Sequence, residues 1–103
     1  MKIVAVTSCA TGIAHSYMAA EAIRKIAKRN NHEVKVEIQG AMGIEDKLSE
    51  RDISEADVVF FANDVGITQV ERFNGVQDRI VQLNPNIVIR NPETILKYLE
   101  KAQ

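Results

Sequence analysis

The chain has 103 residues, 46% of them apolar, and a net charge of −1 at pH 7. That is enough apolar material for one core, so residues 1–103 are read as a single domain and not as a disordered chain. The lack of a basic excess excludes nucleic acid as the main partner, no apolar run approaches the ~20 residues that a membrane-inserted helix needs, and one cysteine with two histidines excludes an internal disulfide or a zinc site.

The elements follow in order. Lys2 to Thr7 is nearly all apolar and predicts a central parallel strand. The start Met1-Lys2-Ile3-Val4 enters that strand directly, so no signal peptide is expected. A lone cysteine fits the reducing cytoplasm. From His15 to Arg29, Ala19, Ala22, Ile23, Ile26 and Ala27 share one face at helical spacing, with Glu21, Arg24, Lys25 and Lys28 opposite. Met18, in the first turn, is expected in the core. Asn30-Asn31 is a stop, because asparagine tolerates the left-handed conformation. From Glu33 to Gln39, Val34, Val36 and Ile38 alternate with Lys35 and Glu37, which predicts an edge strand with one wet face.

Gly40-Ala41-Met42-Gly43 reads as a turn, with a short helix expected around Glu45 to Glu50. Asp57 to Ala62 is a second strand buried on both faces, ended by Asn63-Asp64-Val65-Gly66. A helix between Thr68 and Phe73 is expected to stop at Asn74-Gly75. Arg79 to Leu83 predicts a fourth strand, broken by Asn84-Pro85-Asn86. Ile87-Val88-Ile89 fits helix or strand. In the last helix Asn91 is the cap, Pro92 the first helical residue, and Ile95, Leu96 and Leu99 the inner face.

Strands alternating with helices imply an α/β three-layer sandwich built on a four-stranded parallel sheet. Right-handed crossovers leave few topologies, and the order 2-1-3-4, flavodoxin-like, is the expected one. Its switch point lies beside the carboxyl end of strand one, where such sheets bind ligands. Cys9 falls there. Gln39, Gly40 and Asp64, at the ends of the neighbouring strands, are expected to rim the same site.

The stretch Thr7-Ser8-Cys9-Ala10-Thr11-Gly12-Ile13-Ala14-His15-Ser16 joins that strand to the helix start. The first N–H groups of a helix lack internal partners and carry partial positive charge. Gly12 lets the backbone approach an anion, so Ala10 to Ser16 are expected to form a phosphate-binding loop after strand one. The field that favours phosphate also favours thiolate, which predicts a lowered pKa and a nucleophilic Cys9. Cysteine phosphatases carry an arginine six residues after the cysteine. Here that position is His15, and the loop holds no carboxylate to activate water. This pattern suits a phosphoryl group carried on sulfur and passed on, with slow hydrolysis.

The run Ile3-Val4-Ala5-Val6-Thr7 followed by Cys9, Thr11-Gly12-Ile13-Ala14-His15-Ser16-Tyr17-Met18-Ala19-Ala20-Glu21-Ala22 closely resembles the start of the fructose-type enzyme IIB domain of the bacterial sugar phosphotransferase system. Val34 to Gly43, Asp52 to Val59 and Glu71-Arg72-Phe73 resemble the same family. The chain departs from it at Ala10, commonly proline there, and at Ser16, commonly threonine. The resemblance implies a protein-phosphohistidine–sugar phosphotransferase working through a phosphocysteine on Cys9. The donor would be phosphorylated enzyme IIA and the acceptor a sugar, fructose or related, bound in the membrane enzyme IIC. A cytoplasmic protein that meets the inner face of the membrane through enzyme IIC is implied, with no cofactor or metal.

His15 stays open between contacting phosphate or handling a proton and simply capping the helix. Thr11 and Ser16 are also natural caps. Asp64 would repel phosphate, so any role for it would be to orient loop N–H groups. Two rival readings are a small cysteine phosphatase-like hydrolase and a non-catalytic module that binds an anion or senses redox state.

Overall fold

The computed structural model describes residues 1–10, 13–40 and 43–102, the side chains of Ile13 and Ala102 excepted. Its elements are β1 (Lys2–Ser8), α1 (Ile13–Arg29), β2 (Glu33–Gly40), β3 (Gly43–Glu45), α2 (Glu50–Glu55), β4 (Val58–Asn63), a 3₁₀ segment (Val70–Arg79), β5 (Ile80–Leu83), α3 (Pro85–Arg90) and α4 (Glu93–Ala102).

The sheet order is β3-β2-β1-β4-β5. The pairs β2–β1, β1–β4 and β4–β5 are parallel, so the four expected strands lie in the expected order. The fifth, β3, is antiparallel to β2 and makes the sheet mixed. It covers the outer edge of β2 at Ile38, Gln39 and Gly40, so β2 is an edge strand only in its first half. Gly43 has φ +122°, a backbone angle that suits glycine as the chain turns back into β3. The middle of the expected turn, Ala41-Met42, lies outside the described residues.

Alternation along β1 sends side chains to two cores. Ile3 and Ala5 pack with Ile23 and Ala27 of α1, Val36 and Ile38 of β2, Val88 of α3, and Ile95 and Leu99 of α4. Val4 and Val6 pack on the other face with Ile53 of α2, Val59 and Phe61 of β4, and Phe73 of the 3₁₀ segment. Phe61 and Phe73 meet edge to face at 4.9 Å. Small inward residues on α1, Ala19, Ala20 and Ala27, bring the helix close to the sheet.

Several expectations are corrected. The short helix begins at Glu50, not Glu45, because Ser49 forms a capping box: Asp52 N–H donates to Ser49 Oγ at 3.0 Å and Ser49 N–H donates to Asp52 Oδ2 at 3.1 Å. The Ser49 N–H, which outweighs the upward push of burial, and the Lys35 ammonium hold the Asp52 carboxyl at about 2. The segment after Thr68 passes through Asn74-Gly75 and bends at Val76 (φ −128°), so that Phe73 and Val76 both reach the core. Asn84-Pro85-Asn86 does more than break β5. Asn86 N–H donates to Asn84 Oδ1 at 2.8 Å with Pro85 in the first helical position, so Ile87-Val88-Ile89 is helical. Pro92 stands just before α4, not within it. Met18 is 55% exposed, since Ala19, Ala20, Ile23, Ile26 and Ala27 already fill the inner stripe of α1.

Glu37 departs furthest. Expected on a wet face, it is fully buried against Arg72.

Candidate functional site

Ser8 pairs with Gln39 of β2 on one side and Asn63 of β4 on the other. Cys9, Gly40 and Asp64 therefore meet at the carboxyl end of the parallel sheet, at the head of α1. Cys9 is half-buried and free, just past the end of β1.

Two buried hydroxyls lie on the elements that the Cys9 loop joins. Thr7, on the face of β1 that packs on α1, and Ser16, in the first turn of α1, are both fully buried. Thr7 Oγ1 and Ser16 Oγ have no full hydrogen bond to any described group.

The loop amides are partly committed. Ala10 N–H donates to Asp64 Oδ1 at 2.7 Å, and Asp64 N–H donates to Ser8 O at 3.1 Å. Asp64 thus orients one N–H of the expected cradle by binding it. Thr11 and Gly12 lie outside the described residues, as does the side chain of Ile13; Ala14 is exposed.

The lowered thiol pKa expected from sequence is corrected. Burial pushes the Cys9 thiol up, the nearby Ser16 hydroxyl pulls it down, and the charge of Asp64 pushes it up again. Withdrawal from water and a facing carboxylate outweigh the favourable donors. Asp64→Asn keeps an acceptor for Ala10 N–H and removes the charge. Its alkylation rate with iodoacetamide should exceed that of the unsubstituted protein severalfold near pH 7, and its rate–pH curve should move to lower pH. An unchanged curve would show that Asp64 exerts no field on the sulfur.

His15 Nε2 stands 2.9 Å from Asn86 Oδ1. An amide oxygen there requires the ring proton on Nε2. His15 Nδ1 is buried and without a partner among the described residues. Asn86 was missed by sequence reasoning, since asparagine beside proline reads only as a breaker. Gln39 is placed beside the site, but its side chain turns to the α2 face of the sheet. There Gln39 Nε2 donates to Glu37 Oε2 at 2.8 Å and Thr68 O at 3.0 Å.

The family model for the lactose/cellobiose-specific IIB subunit of the phosphotransferase system (PTS) matches residues 4–98. The PTS system fructose-like EIIB component 2 of Escherichia coli (strain K12) is 43% identical over 99 residues, covering 96% of this chain and 92% of that one. This chain belongs to the PTS EIIB family. The solution structure of an enzyme IIB subunit of the PTS from Escherichia coli K12 superposes with a TM-score of 0.88 at 34% identity, over 97% of this chain and 91% of that one. The PTS fructose-specific EIIABC component of Bacillus subtilis (strain 168) is 41% identical over 96 residues, 93% of this chain and 15% of that longer protein. Membership places this EIIB chain in phosphotransfer linked to sugar uptake. The match to a lactose/cellobiose model and to fructose-type relatives together leaves the sugar unassigned. Among the described residues no helix is long and apolar enough to cross a membrane.

Proposed function

We propose that Cys9 carries the phosphoryl group as a phosphocysteine, accepting it from a phosphohistidine of enzyme IIA and donating it to a sugar bound in the membrane enzyme IIC. The observation that carries this reading is the placement of the thiol. It stands at the carboxyl end of β1 and the head of α1, beside the buried Ser16 hydroxyl.

The chemistry balances without a cofactor. In loading, Sγ attacks phosphorus, the P–N bond to the donor imidazole breaks, and the thiol proton replaces the phosphoryl group on that nitrogen. In discharge, a sugar hydroxyl attacks phosphorus, the S–P bond breaks, and the hydroxyl proton returns to sulfur. A thiol held protonated at rest suits this exchange, because it brings the proton that the departing imidazole needs. The protein's part is positioning and charge stabilisation, which dominate phosphoryl transfer.

Ala10 to Ser16 supply the phosphate-binding loop, and Gly40 and Asp64 form the rim. His15, held by Asn86, supports the phosphorylated state. Residues 1–103 act as one such domain, in the cytoplasm, meeting the inner face of the membrane through enzyme IIC. Within the loop, His15 replaces the arginine clamp of a phosphatase and no carboxylate is present, so transfer is favoured over hydrolysis. Incubation with phosphorylated enzyme IIA, followed by intact-mass analysis, should show one added phosphoryl group that mapping places on Cys9. No mass gain from any fructose-type enzyme IIA would overturn the reading.

A further inference from the structure

Glu37 has no exposed surface, yet its carboxylate accepts four hydrogen bonds. Leu48 N–H (2.9 Å) and Arg72 Nη1 (3.0 Å) donate to Oε1; Gln39 Nε2 (2.8 Å) and Arg72 Nη2 (2.8 Å) donate to Oε2. Burial alone would raise this carboxyl, but the donors from Arg72, Gln39 and Leu48 and the guanidinium charge hold it below the usual range.

The same side chains grip the segment after β4. Gln39 reads Thr68 as a neighbouring strand would: Thr68 N–H donates to Gln39 Oε1 at 2.8 Å, and Gln39 Nε2 donates to Thr68 O at 3.0 Å. Arg72 Nε donates to Gln69 O at 3.0 Å, where Gln69 takes a left-handed backbone (φ 60°). The other end of that segment is fastened at the site. Asn63 Nδ2 donates to Val65 O at 2.7 Å, and Asp64 takes the Ala10 N–H. The 64–69 loop is therefore held at one end by the Glu37 cluster, while its other end holds an amide next to Cys9.

We propose that Glu37, Gln39 and Arg72 are positioning residues for the 64–69 loop and, through Asp64, for the Ala10 amide beside Cys9. This deepens the phosphocarrier reading and rests on it only for the consequence in transfer. A buried carboxylate that takes four hydrogen bonds, from Gln39 of its own strand, from Leu48 and twice from Arg72, has one low-energy arrangement, so it fixes where the loop starts out from the sheet. Asp64 N–H stays on Ser8 O, but loss of either clamp loosens the loop beyond it, so that its carboxylate can turn away, which frees the Ala10 N–H and withdraws the charge from the sulfur.

The test uses Gln39→Met, which keeps length and volume but removes both bonds to Thr68 and the one to Glu37 Oε2. Arg72→Lys keeps a charge for Glu37 and removes the bond to Gln69 O. In both, Ala10 amide exchange by NMR should quicken by about tenfold or more, while β1 amides from Ile3 to Val6 keep their protection. The alkylation curve of Cys9 should shift in the same direction as in Asp64→Asn. The double variant Gln39→Met/Asp64→Asn should shift no further than Asp64→Asn alone, as expected for residues acting through one group. If Gln39→Met does not fold, Arg72→Lys carries the test. Unchanged Ala10 exchange and an unchanged alkylation curve in a folded variant would overturn the proposal. Both readouts need no partner protein, so a chain that takes no phosphoryl group would overturn the function and not this inference.

Discussion

Cys9→Ser should abolish phosphoryl passage while leaving the fold intact. The sulfur lies past the end of β1, half-buried, and belongs to neither core cluster. Its replacement by oxygen should change stability by no more than about 0.5 kcal/mol, as for substitutions away from packed features. The chemical effect is much larger. A serine hydroxyl is a weak nucleophile without an adjacent base, and the carboxylate that faces this position, Asp64, is already bonded to Ala10 N–H. Any phosphoserine formed would be an ester with a poor leaving group. We expect transfer to fall at least about 10³-fold, or about 4 kcal/mol of added barrier. Loading from phosphorylated enzyme IIA, followed by intact mass, measures the first half-reaction, and sugar phosphate production measures the whole. A Cys9→Ser protein that still gained one phosphoryl group and passed it on would move the carrier site elsewhere, with His15 the first candidate.

The second large effect concerns stability. Glu37→Gln keeps the shape of the side chain but leaves the guanidinium of Arg72, 12% exposed, without its counter-charge. One buried partner removed from such a pair costs about 3–5 kcal/mol. For a domain of this size each kcal/mol lowers Tm by roughly 4–8 °C, so a fall of at least about 12 °C is expected. Replacing both partners together, Glu37→Met with Arg72→Met, should recover part of the loss, because no buried charge is then left alone. Urea and thermal melts followed by circular dichroism decide it, and a single variant within about 1 kcal/mol of the unsubstituted protein would reject the account. The pH dependence has the same origin. The folded-state pKa of Glu37 is depressed, so its contribution is present above the unfolded value of about 4.3 and is lost as pH falls through the folded value. Glu37→Gln should accordingly lose less stability on acidification than the unsubstituted protein.

These expectations bear on the rival readings. A hydrolase would need a clamp for the phosphate and a group to activate water. The candidate site presents His15 held by Asn86 and an Asp64 already bonded to Ala10 N–H. A module that only binds an anion or senses redox state would bind phosphate or oxidise at Cys9 without accepting a phosphoryl group, and the mass experiment separates that from a carrier.

Local sequence was sufficient wherever one short-range cause decided the structure. The four parallel strands and their order follow from apolar runs that alternate with helical periodicity and from the handedness of crossovers. Cys9 at the switch point follows from the same reasoning, because its place requires only that β1 end before it and α1 begin after it. Tertiary structure decided what depends on distant partners. Glu37 reads as the wet position of an alternating strand, and only Arg72, 35 residues away, makes its burial possible. The edge of β2 reads as open, and only β3 shows it half covered. Met18 reads as core, but a helix of one stripe has room for few large side chains once alanines draw it onto the sheet. The thiol pKa was expected to fall because local dipoles are legible in a sequence. Desolvation and the facing Asp64 are sums over space, set by which segments the fold brings around the sulfur.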